Sequence, residues 1–290
     1  MSGVHKISVL ICVYNVEKYI HECIKSLLIQ SVKDFEIVIV DDGSIDNTRN
    51  IIEDFDDKRI RYFRNKENIG MAKSRNKCIN LSKGEIIFFT DGDCVLSKDW
   101  IEQGLRLLKT KRSIGVEGRT YYVSENYTPT FSDNAHNTKK GEFQTCNIAY
   151  KKKYVERIGG FDERFLRMSD RDLALRVMKL GRIDYNPFMI VHHQKRIFSP
   201  MEFVQKGKWI EDRVLLYKKH KDQKNYILWR IFFPLRLISI LFPPLILGSL
   251  LRNRYKTKED FVLFPFNYIL LIFERLNLWH TCARNGVFLI

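Results

Sequence analysis

Two stretches decide the fold of this chain: residues 7–13, Ile-Ser-Val-Leu-Ile-Cys-Val, and residues 85–93, Glu-Ile-Ile-Phe-Phe-Thr-Asp-Gly-Asp. Each holds a short, almost unbroken apolar run, which is typical of a strand buried on both faces of a parallel sheet. The other predicted elements around them are helices over residues 16–31, 47–55, 71–81 and 169–180 and strands over residues 36–40, 60–63 and 189–193. Alternating strands and helices predict an α/β fold with a central, mostly parallel sheet flanked by helices.

Acidic residues follow two of the predicted strands, as Asp41-Asp42-Gly43-Ser44 and as Asp91-Gly92-Asp93. Ligands of such sheets bind beyond the carboxyl ends of the strands. Two carboxylates that flank a glycine can hold a hard divalent cation, and a carboxylate at a strand end can accept hydrogen bonds from a base or a ribose. Both clusters also fit ordinary turns, with Ser44 or Asp46 capping the second helix and Asn68 capping the third.

Several common catalytic motifs are absent from the sequence. It has no G-x-x-x-x-G-K-[ST] phosphate-binding loop, no G-x-G-x-x-G after the first strand and no G-x-S-x-G nucleophile elbow. Phosphate-loop ATPases, dinucleotide-binding enzymes and serine hydrolases of that type are therefore disfavoured. The remaining pattern indicates a nucleotide and a metal, with acidic residues rather than a covalent nucleophile.

The chain is strongly basic, with 49 Lys and Arg against 34 Asp and Glu in 290 residues and a net charge of +15. Nucleic acid is one partner that such a charge can indicate. However, residues 195–225 alone hold nine Lys and Arg against four acids, and apolar stretches follow at once. Basic residues beside apolar segments favour an anionic membrane surface, so no nucleic-acid partner is predicted.

The C-terminal part, residues 200–290, is predicted to be a separate membrane-associated region. It begins with a basic amphipathic helix over residues 201–220. Residues 231–251 carry one charge but three prolines, and residues 261–273 are uncharged but too few to span a bilayer, which takes about 20 residues. Both stretches are interpreted as lying in the membrane interface, with a single crossing as the alternative.

The six cysteines lie far apart and form no C-x-x-C pair, so neither a zinc knuckle nor a dithiol redox site is predicted. Most of them fall in apolar runs, as expected of small buried side chains in a reducing compartment. A predicted strand already begins at Ile7, so we expect no signal peptide. The predicted location is the cytoplasmic side of the cell membrane, as a peripheral or monotopic protein.

Taken together, these motifs resemble the family 2 glycosyltransferases of the GT-A fold over about residues 7–210. The motifs are, in order, Val9 to Asn15, the Asp-Asp-Gly-Ser-x-Asp of residues 41–46, Asn68-x-Gly70 with Arg75-Asn76, Asp91-Gly92-Asp93, Gly159 to Glu163, and Asp170-x-Asp172-Leu173-x-x-Arg176. The resemblance implies a catalytic domain over residues 1–199. Its nucleotide-binding half would be residues 1–95 and its acceptor-binding half residues 96–199.

The resemblance also implies roles for individual residues. Asp170 would be the catalytic base, in a Ser169-Asp170 pair where the family usually has Glu-Asp. Asp93, Asp91 and His192 would bind Mn²⁺ or Mg²⁺, with His193 as the alternative histidine. The nucleotide would contact Val13, Tyr14, Asn15, Asp41, Asp42, Arg75, Asp91 and Gly92. The acceptor would contact Gly160, Asp172, Lys208 and Trp209.

Lys208 and Trp209 belong to Gln205-Lys206-Gly207-Lys208-Trp209, which resembles the Q-x-x-R-W of processive polysaccharide synthases with Lys in place of Arg. An amphipathic helix with Trp209 at the membrane interface is an equal interpretation. Processive synthases carry several spanning helices, so transfer of a single sugar is favoured here. Residues 120–143 are predicted to be an irregular loop, which would be a lid or a substrate loop.

The implied activity is transfer of one sugar, with inversion, from a nucleotide sugar to an acceptor hydroxyl. A UDP-sugar is the favoured donor, with GDP or dTDP as alternatives, and the acceptor would be a lipid-linked sugar or a glycan precursor. One alternative is a polyprenyl-phosphate sugar synthase, in which the lipid phosphate accepts the sugar. Another is a protein that binds nucleotide sugars or nucleic acid without catalysis.

Overall fold

The structure is a computed structural model that describes residues 7–109, 112–123, 138–194, 209–223 and 264–286. These residues form two compact units. The first unit holds the described residues up to Gln194, and the second holds residues 209–223 and 264–286. The predicted boundary at residue 199 and most of the predicted substrate loop, residues 124–137, lie outside the described residues.

The described residues of the first unit form an eight-stranded sheet with helices packed on it. Its strands are β1 (Ile7–Val13), β2 (Glu36–Asp41), β3 (Ile60–Arg64), β4 (Ile86–Asp91), β5 (Cys94–Leu96), β6 (Ser113–Val123), β7 (Ile148–Lys151) and β8 (Arg182–Gln194). Its helices are α1 (Ile20–Leu28), α2 (Thr48–Glu53), α3 (Met71–Leu81), α4 (Trp100–Leu108), α5 (Lys152–Arg157) and α6 (Ser169–Met178). The predicted α/β architecture is therefore confirmed.

The sheet is mixed rather than mostly parallel, with the strand order β3-β2-β1-β4-β7-β6-β8-β5. Parallel pairs join β3, β2, β1 and β4, and a further parallel pair joins β6 and β8. Antiparallel pairs join β4 to β7, β7 to β6, and β8 to β5. The β-α-β pattern predicted the parallel half, but β5, β6 and β7 carry no such pattern and were missed.

Burial of apolar side chains on both faces accounts for β1. All seven residues of β1 are buried, and α1 covers one face with buried Ile20, Ile24 and Leu27. Burying one such side chain contributes about 1.5–3 kcal/mol to the stability. The register pairs Val13 with Asp41 and Cys12 with Asp91, so the ends of β1, β2 and β4 lie side by side.

Strand β8 is much longer than the predicted residues 189–193. It pairs with β6 along its length, but the register steps from Gly118 opposite Asn186 to Arg119 opposite Ile190. Three residues of β8, 187–189, therefore stand between two successive pairs, as in a large bulge. The step determines which side chains of the last part of β8 face the strand ends.

The second unit contains helices α7 (Ile210–Lys219) and α8 (Phe264–Asn285), which contact each other. Helix α8 extends well beyond the predicted apolar stretch of residues 261–273. Among the helices that the structure describes, none is long and apolar enough to cross a membrane. The predicted interfacial stretch of residues 231–251 and the first part of the predicted basic helix, residues 201–208, lie outside the described residues.

Candidate active site

The Asp91-Gly92-Asp93 motif lies where β4 ends and β5 is about to begin. Gly92 is buried, and a Cβ added to it would lie 2.8 Å from Cγ1 of Val13. Glycine is therefore needed for the chain to pass this close to β1. Val13 itself is buried beneath this turn, so its side chain packs against the motif.

His193, and not His192, faces the two aspartates. Nε2 of His193 lies 3.5 Å from Oδ1 of Asp93 and 3.8 Å from Oδ2 of Asp91. His192 is exposed and stacks on Tyr121, with ring centroids 5.6 Å apart. Successive side chains of a strand point to opposite faces, so only one of the two histidines can reach the aspartates. We therefore replace His192 by His193 in the candidate metal site.

The His193 ring is oriented by its neighbours on β5 and β8. His193 stands opposite Cys94 in the antiparallel β5–β8 pair, and its Nδ1 donates a hydrogen bond of 2.7 Å to the carbonyl of Gln194. Because a carbonyl oxygen can only accept a hydrogen bond, Nδ1 must carry the proton of this bond. Nε2 is then the ring nitrogen that faces the two carboxylates. Burial lowers the pKa of His193, but Asp91 and Asp93 outweigh it and raise the pKa to about 10.

Arg75 connects the strand end to the second half of the first unit. Its Nη2 lies 3.3 Å from Oδ1 of Asp91, and its guanidinium group lies 5.8 Å from the ring centroid of Phe161. Burial raises the pKa of Asp91, but His193 and Arg75 outweigh it and hold the pKa below the usual range. The carboxylate of Asp91 is therefore ionised at neutral pH and can accept a cation.

Asp170 lies in the first turn of α6, where its side chain is half-buried. Its Oδ1 accepts a hydrogen bond of 2.7 Å from the backbone N–H of Arg171. Burial raises the pKa of Asp170, and the charges of Arg171 and Arg75 offset that rise only in part. A carboxylate with a raised pKa is a better proton acceptor than an exposed one, as a general base requires.

A buried glutamate that the sequence analysis missed organises the backbone near Asp170. Glu117, on β6, is fully buried and accepts hydrogen bonds from the backbone N–H groups of Gly141, Glu142 and Phe143. The carboxylate of Glu142 in turn lies 2.5 Å from Nη2 of Arg171, the neighbour of Asp170. The available signal was a charged residue inside the otherwise apolar Ser113-Ile-Gly-Val-Glu117 run.

Asp41 and Asp42 are both buried and hydrogen-bonded within the protein. Asp41 accepts hydrogen bonds from the Ser44 backbone N–H and the Tyr62 hydroxyl. The donors to Asp42 are Asn65 Nδ2, the Ser74 hydroxyl and the backbone N–H groups of Ile69 and Gly70. Asp42 thus accepts hydrogen bonds from the backbone N–H groups just before α3, whereas the sequence predicted that Asn68 would cap this helix. The structure places both aspartates as supports of the strand-end loops.

Tyr14 and Asn15 follow β1 at the same edge of the sheet. Asn15 has a left-handed backbone conformation with φ of 52°, and its side-chain oxygen accepts a hydrogen bond of 2.9 Å from the N–H of Ile45. Its own N–H donates to the hydroxyl of Ser44, also over 2.9 Å. Asn15 therefore joins the loops after β1 and β2, while the exposed Tyr14 ring is available to a ligand.

The predicted acceptor residues Gly160 and Asp172 belong to one buried network. Asp172 is fully buried and accepts a hydrogen bond of 2.8 Å from Nε of Arg176. The other nitrogens of Arg176 donate to the carbonyls of Ile158 and Gly160. Asp172 therefore positions the turn at Gly160 through Arg176. We remove Asp172 from the acceptor-contacting residues because its carboxylate is buried and paired.

Gly160 also packs tightly against α3. Its φ is 71°, and a Cβ at this position would lie 2.5 Å from Oδ1 of Asn76. That oxygen accepts a hydrogen bond of 2.8 Å from the N–H of Phe161, and Nδ2 of Asn76 donates to the Phe161 carbonyl. Asn76 thus fixes the turn that carries Phe161 under Arg75. Of the remaining predicted residues, Lys208 lies outside the described residues, and Trp209 precedes α7 in the second unit.

The side chains at the strand end fit a divalent metal ion. Within the described residues, two groups bring three potential ligand atoms within 4.8 Å of one another: Asp91, Cys146 and His193, and Asp93, Cys94 and His193. Carboxylate and imidazole ligands suit Mn²⁺, and carboxylates suit Mg²⁺. Asp91, Asp93 and His193 are the residues that would hold such an ion.

A strand edge with paired aspartates and a histidine, together with a half-buried carboxylate at the start of α6, fits the class of GT-A-like glycosyltransferases. The model of the family "Glycosyl transferase family 2" matches residues 8–174, which is more than half of the chain. The chain therefore belongs to glycosyltransferase family 2, and the predicted family is confirmed.

Bacterial glycosyltransferases are similar in sequence. "Glycosyltransferase GlyA" of Streptococcus pneumoniae is 42% identical over 227 residues, which cover 77% of this chain but 28% of GlyA. "UDP-Glc:alpha-D-GlcNAc-diphosphoundecaprenol beta-1,3-glucosyltransferase WfaP" of Escherichia coli is 29% identical over 171 residues, which cover 58% of this chain and 68% of WfaP. The chain spans less than half the length of the first curated relatives it matches.

Two solved structures share the fold. S. aureus TarS 1-349 in complex with UDP-GlcNAc has a TM-score of 0.62 and 20% identity, over 98% of this chain and 93% of that chain. The mannosyltransferase PcManGT from Pyrobaculum calidifontis, in complex with GDP-Man and Mn²⁺, has a TM-score of 0.65 and 17% identity, over 96% and 88% of the two chains. At these identities the likeness establishes the fold alone.

Proposed function

We propose that this chain moves one sugar, with inversion, from a nucleotide-sugar donor to a hydroxyl group of an acceptor. The observation that carries the proposal is the electrostatic link between Asp170 and the strand end. The pKa of Asp170 responds both to Arg75 and to Asp91, and Arg75 pairs directly with Asp91. The charge of Arg75 therefore acts on both the proposed base and a proposed metal ligand.

The donor is proposed to be a nucleotide sugar, with a UDP-sugar favoured. The similar structures were solved with UDP-GlcNAc and with GDP-Man, which supports this class of donor. Tyr14 offers an exposed ring to a base, and Arg75 offers a cation near Asp91 to a diphosphate. Asp41 and Asp42 are proposed to support the donor site indirectly, because they hold the loops after β2 and before α3 in place.

Asp91, Asp93 and His193 are proposed to hold Mn²⁺ or Mg²⁺. When bound, the ion would neutralise the negative charge of the departing nucleoside diphosphate. Asp170 takes the proton of the acceptor hydroxyl as the hydroxyl oxygen bonds to the anomeric carbon. The bond from that carbon to the diphosphate oxygen breaks in the same displacement, which inverts the anomeric centre. Arg75 keeps Asp91 ionised throughout.

A lipid-linked sugar is proposed as the acceptor, reached at the cytoplasmic face of the membrane. The name of WfaP describes a GlcNAc-diphosphoundecaprenol acceptor, which supports this class. Helix α8 exposes Ile269, Leu276 and Trp279, which fall on one side of a helix because they are spaced by seven and three residues. Helix α7 ends in Lys218 and Lys219. An apolar stripe and basic residues suit an anionic bilayer surface.

The donor site is tested by thermal unfolding with UDP, GDP, dTDP and CDP, each with and without Mn²⁺. A ligand at about 100 times its Kd adds about 2.7 kcal/mol of stability, which is easily measured. We expect one nucleotide to stabilise the chain strongly only with Mn²⁺, and Asp93→Ala to abolish that difference. Asp184→Ala, in a surface ion pair with Arg182, is the matched control. A lack of response to all four nucleotides would refute the donor site.

The membrane proposal is tested by co-sedimentation with vesicles that contain anionic lipids. Leu276→Ser with Trp279→Ser should release the full chain from the vesicles without changing nucleotide binding. Phe188→Ser removes an even more exposed aromatic side chain from β8 and should have no effect. Equal sedimentation of all three proteins would count against a membrane-binding surface on α8.

A further inference from the structure

Two thiols line the inner side of the candidate metal site. Cys94 follows Asp93 directly and is fully buried, and Cys146, in the turn of residues 145–147 before β7, is almost fully buried. Ligand atoms of Cys94, Asp93 and His193 lie within 4.8 Å of one another, and so do those of Cys146, Asp91 and His193. His193 is common to both groups, so the two thiols converge on one imidazole.

The position of Cys146 is fixed by its neighbour Asn147. Oδ1 of Asn147 accepts a hydrogen bond of 2.8 Å from Nε1 of Trp100. Its Nδ2 donates to the carbonyls of Arg119 and Met189, on β6 and β8. Asn147 is fully buried, so these three bonds tie the turn to α4 and to both strands. The hydrogen bonds of Asn147 therefore hold the turn that carries Cys146 against β6 and β8.

Cys94 is fixed equally well by the sheet. It stands opposite His193 in the antiparallel β5–β8 pair. Burial raises the pKa of Cys94, and the neighbouring Cys146 adds to that rise. The metal-free Cys94 thiol is thus protonated, and a metal ion that binds it displaces its proton.

We propose that Cys94, Cys146 and His193 form a binding site for a thiophilic divalent cation such as Zn²⁺, with Asp91 or Asp93 as the fourth ligand. The inference rests on the proposed metal site of the transferase and adds two sulfur ligands to it. Two sulfurs, one imidazole nitrogen and one carboxylate oxygen are a tetrahedral ligand set typical of Zn²⁺, whereas Mn²⁺ and Mg²⁺ prefer oxygen.

The geometry allows this site with small movements. Zn–S bonds are about 2.3 Å and Zn–N bonds about 2.0–2.1 Å, so ligand atoms of a tetrahedral site lie roughly 3.5 Å apart. Within each of the two groups of three ligand atoms, separations of up to 4.8 Å need to close by about one ångström, and the two groups meet at His193. Asp91 and Asp93 are partly exposed while the thiols are buried, so an ion enters past the carboxylates and binds deeper.

The consequence is competition between two kinds of metal. A thiophilic ion bound to His193 and one aspartate removes two ligands from the proposed Mn²⁺ site. It also lies deeper than an ion that must reach a diphosphate. Zn²⁺ should therefore block Mn²⁺-dependent nucleotide binding at concentrations far below those of Mn²⁺.

The test is a titration of the reduced full chain with Co²⁺, which replaces Zn²⁺ and is visible by absorption. We expect the intense visible bands of tetrahedral cobalt together with a thiolate-to-cobalt charge-transfer band, and loss of both on addition of Zn²⁺. Cys146→Ser, Cys94→Ser and His193→Gln should each weaken Co²⁺ binding by more than about tenfold. Cys78→Ser is the matched control, because Cys78 is a buried thiol that contacts Cys12 and joins neither ligand group.

Weak octahedral cobalt bands without a charge-transfer band would overturn the proposal, as would a charge-transfer band that survives Cys146→Ser or Cys94→Ser. If one serine variant fails to fold, judged by its thermal transition, the other variant and His193→Gln decide. Mn²⁺-dependent stabilisation by a nucleotide without the cobalt thiolate band would refute this inference and leave the proposed function intact. The thiolate band without any nucleotide response would support this inference and refute the proposed donor site.

Discussion

Nη2 of Arg75 lies 3.3 Å from Oδ1 of Asp91, and the guanidinium carbon lies 5.8 Å from the ring centroid of Phe161. Arg75 comes from α3, Asp91 from the end of β4, and Phe161 from the turn that Asn76 and Arg176 fix. This pairing links the proposed donor side of the site to the turn before α6. Changes at Arg75 should therefore affect donor binding and catalysis together.

Arg75→Lys should lower kcat/KM about tenfold, which corresponds to about 1.4 kcal/mol. Lysine keeps the charge near Asp91 but cannot both pair with that carboxylate and stack on Phe161. Steady-state kinetics with sugar donors of the nucleotide identified in the thermal panel measures the effect. Arg106→Lys, in an exposed pair with Glu102 on α4, is the control and should not change kcat/KM. Equal kinetics for both variants would rule out a role of the guanidinium geometry.

Asp170→Asn should lower kcat by about 10²–10⁴-fold while leaving nucleotide binding unchanged. Asparagine preserves the size of the side chain but cannot take a proton from the acceptor. Single-turnover kinetics and the thermal response to nucleotide with Mn²⁺ separate the two effects. Near-normal turnover would favour an acceptor that needs no base, such as a lipid phosphate.

The wild-type rate should fall in acid at a pH above the ordinary range of an aspartate. The base must be ionised, and burial raises the pKa of Asp170 above its usual value, which is near 3.9 in peptides. Activity should therefore be lost as the pH falls through this raised pKa. A profile of kcat/KM measured between about pH 4.5 and 8 checks the prediction, because a flat profile down to pH 4.5 would place the pKa in its normal range.

Glu36→Gln should lower the free energy of unfolding by about 1–3 kcal/mol at pH 7. The buried carboxylate of Glu36 accepts hydrogen bonds from the Ser8 hydroxyl, the Lys83 N–H and Arg61 Nη1. Burial raises the pKa of Glu36, but these three bonds outweigh it and leave the pKa lowered. The stabilisation is thus present above the unfolded pKa of about 4.3 and is lost as the pH falls below it.

Urea unfolding of both proteins at several pH values measures this effect. The gap between wild type and Glu36→Gln should shrink as the pH is lowered below about 4. Glu53→Gln is the control, since Glu53 forms an exposed pair with Arg49 and should contribute less than about 1 kcal/mol. A gap that stays constant with pH would mean that the Glu36 carboxylate is not the source of the stabilisation.

Gly160→Ala should be clearly more destabilising than Gly159→Ala. Both glycines have a left-handed backbone, which costs an alanine about 1–2 kcal/mol. Only at Gly160 does a Cβ also meet a neighbour, at 2.5 Å from Oδ1 of Asn76, whereas nothing lies within 4 Å at Gly159. Thermal unfolding measures the difference, and turnover should fall further in Gly160→Ala because Phe161 would shift. Equal losses in the two variants would show that the contact with Asn76 is unimportant.

The parallel half of the fold and its acidic edge could be predicted from the sequence because both depend on neighbouring residues. The apolar run of β4 and the motif at Asp91 adjoin each other, and α3 begins and ends at the predicted residues 71 and 81. Strands β5, β6 and β7 could not be predicted in this way. Each of them has an antiparallel neighbour, and their partners lie far away in the sequence. Strand β6 also carries the buried Glu117, which breaks its apolar pattern.

The roles of several site residues depend on contacts that sequence does not reveal. Asp42 was predicted to grip the nucleotide, but its hydrogen-bond donors come from the segment around Asn65 and Ser74. Cys94 and Cys146 were interpreted as separate core residues because no short motif joins them. Only the pairing of β5 with β8 and the turn at Asn147 bring the two thiols to the same histidine.

The step in the β6–β8 register affects which histidine of β8 is equivalent between members of the family. Residues 187–189 lie between the pair Gly118–Asn186 and the pair Arg119–Ile190. Adding one residue to them would slide the rest of β8 by one position and place His192 where His193 now stands. Which histidine faces Asp91 and Asp93 is thus specified by the number of residues between these two pairs and not by the His-His sequence itself. Aligning family members on the His-His pair alone would therefore match non-equivalent residues wherever that length differs.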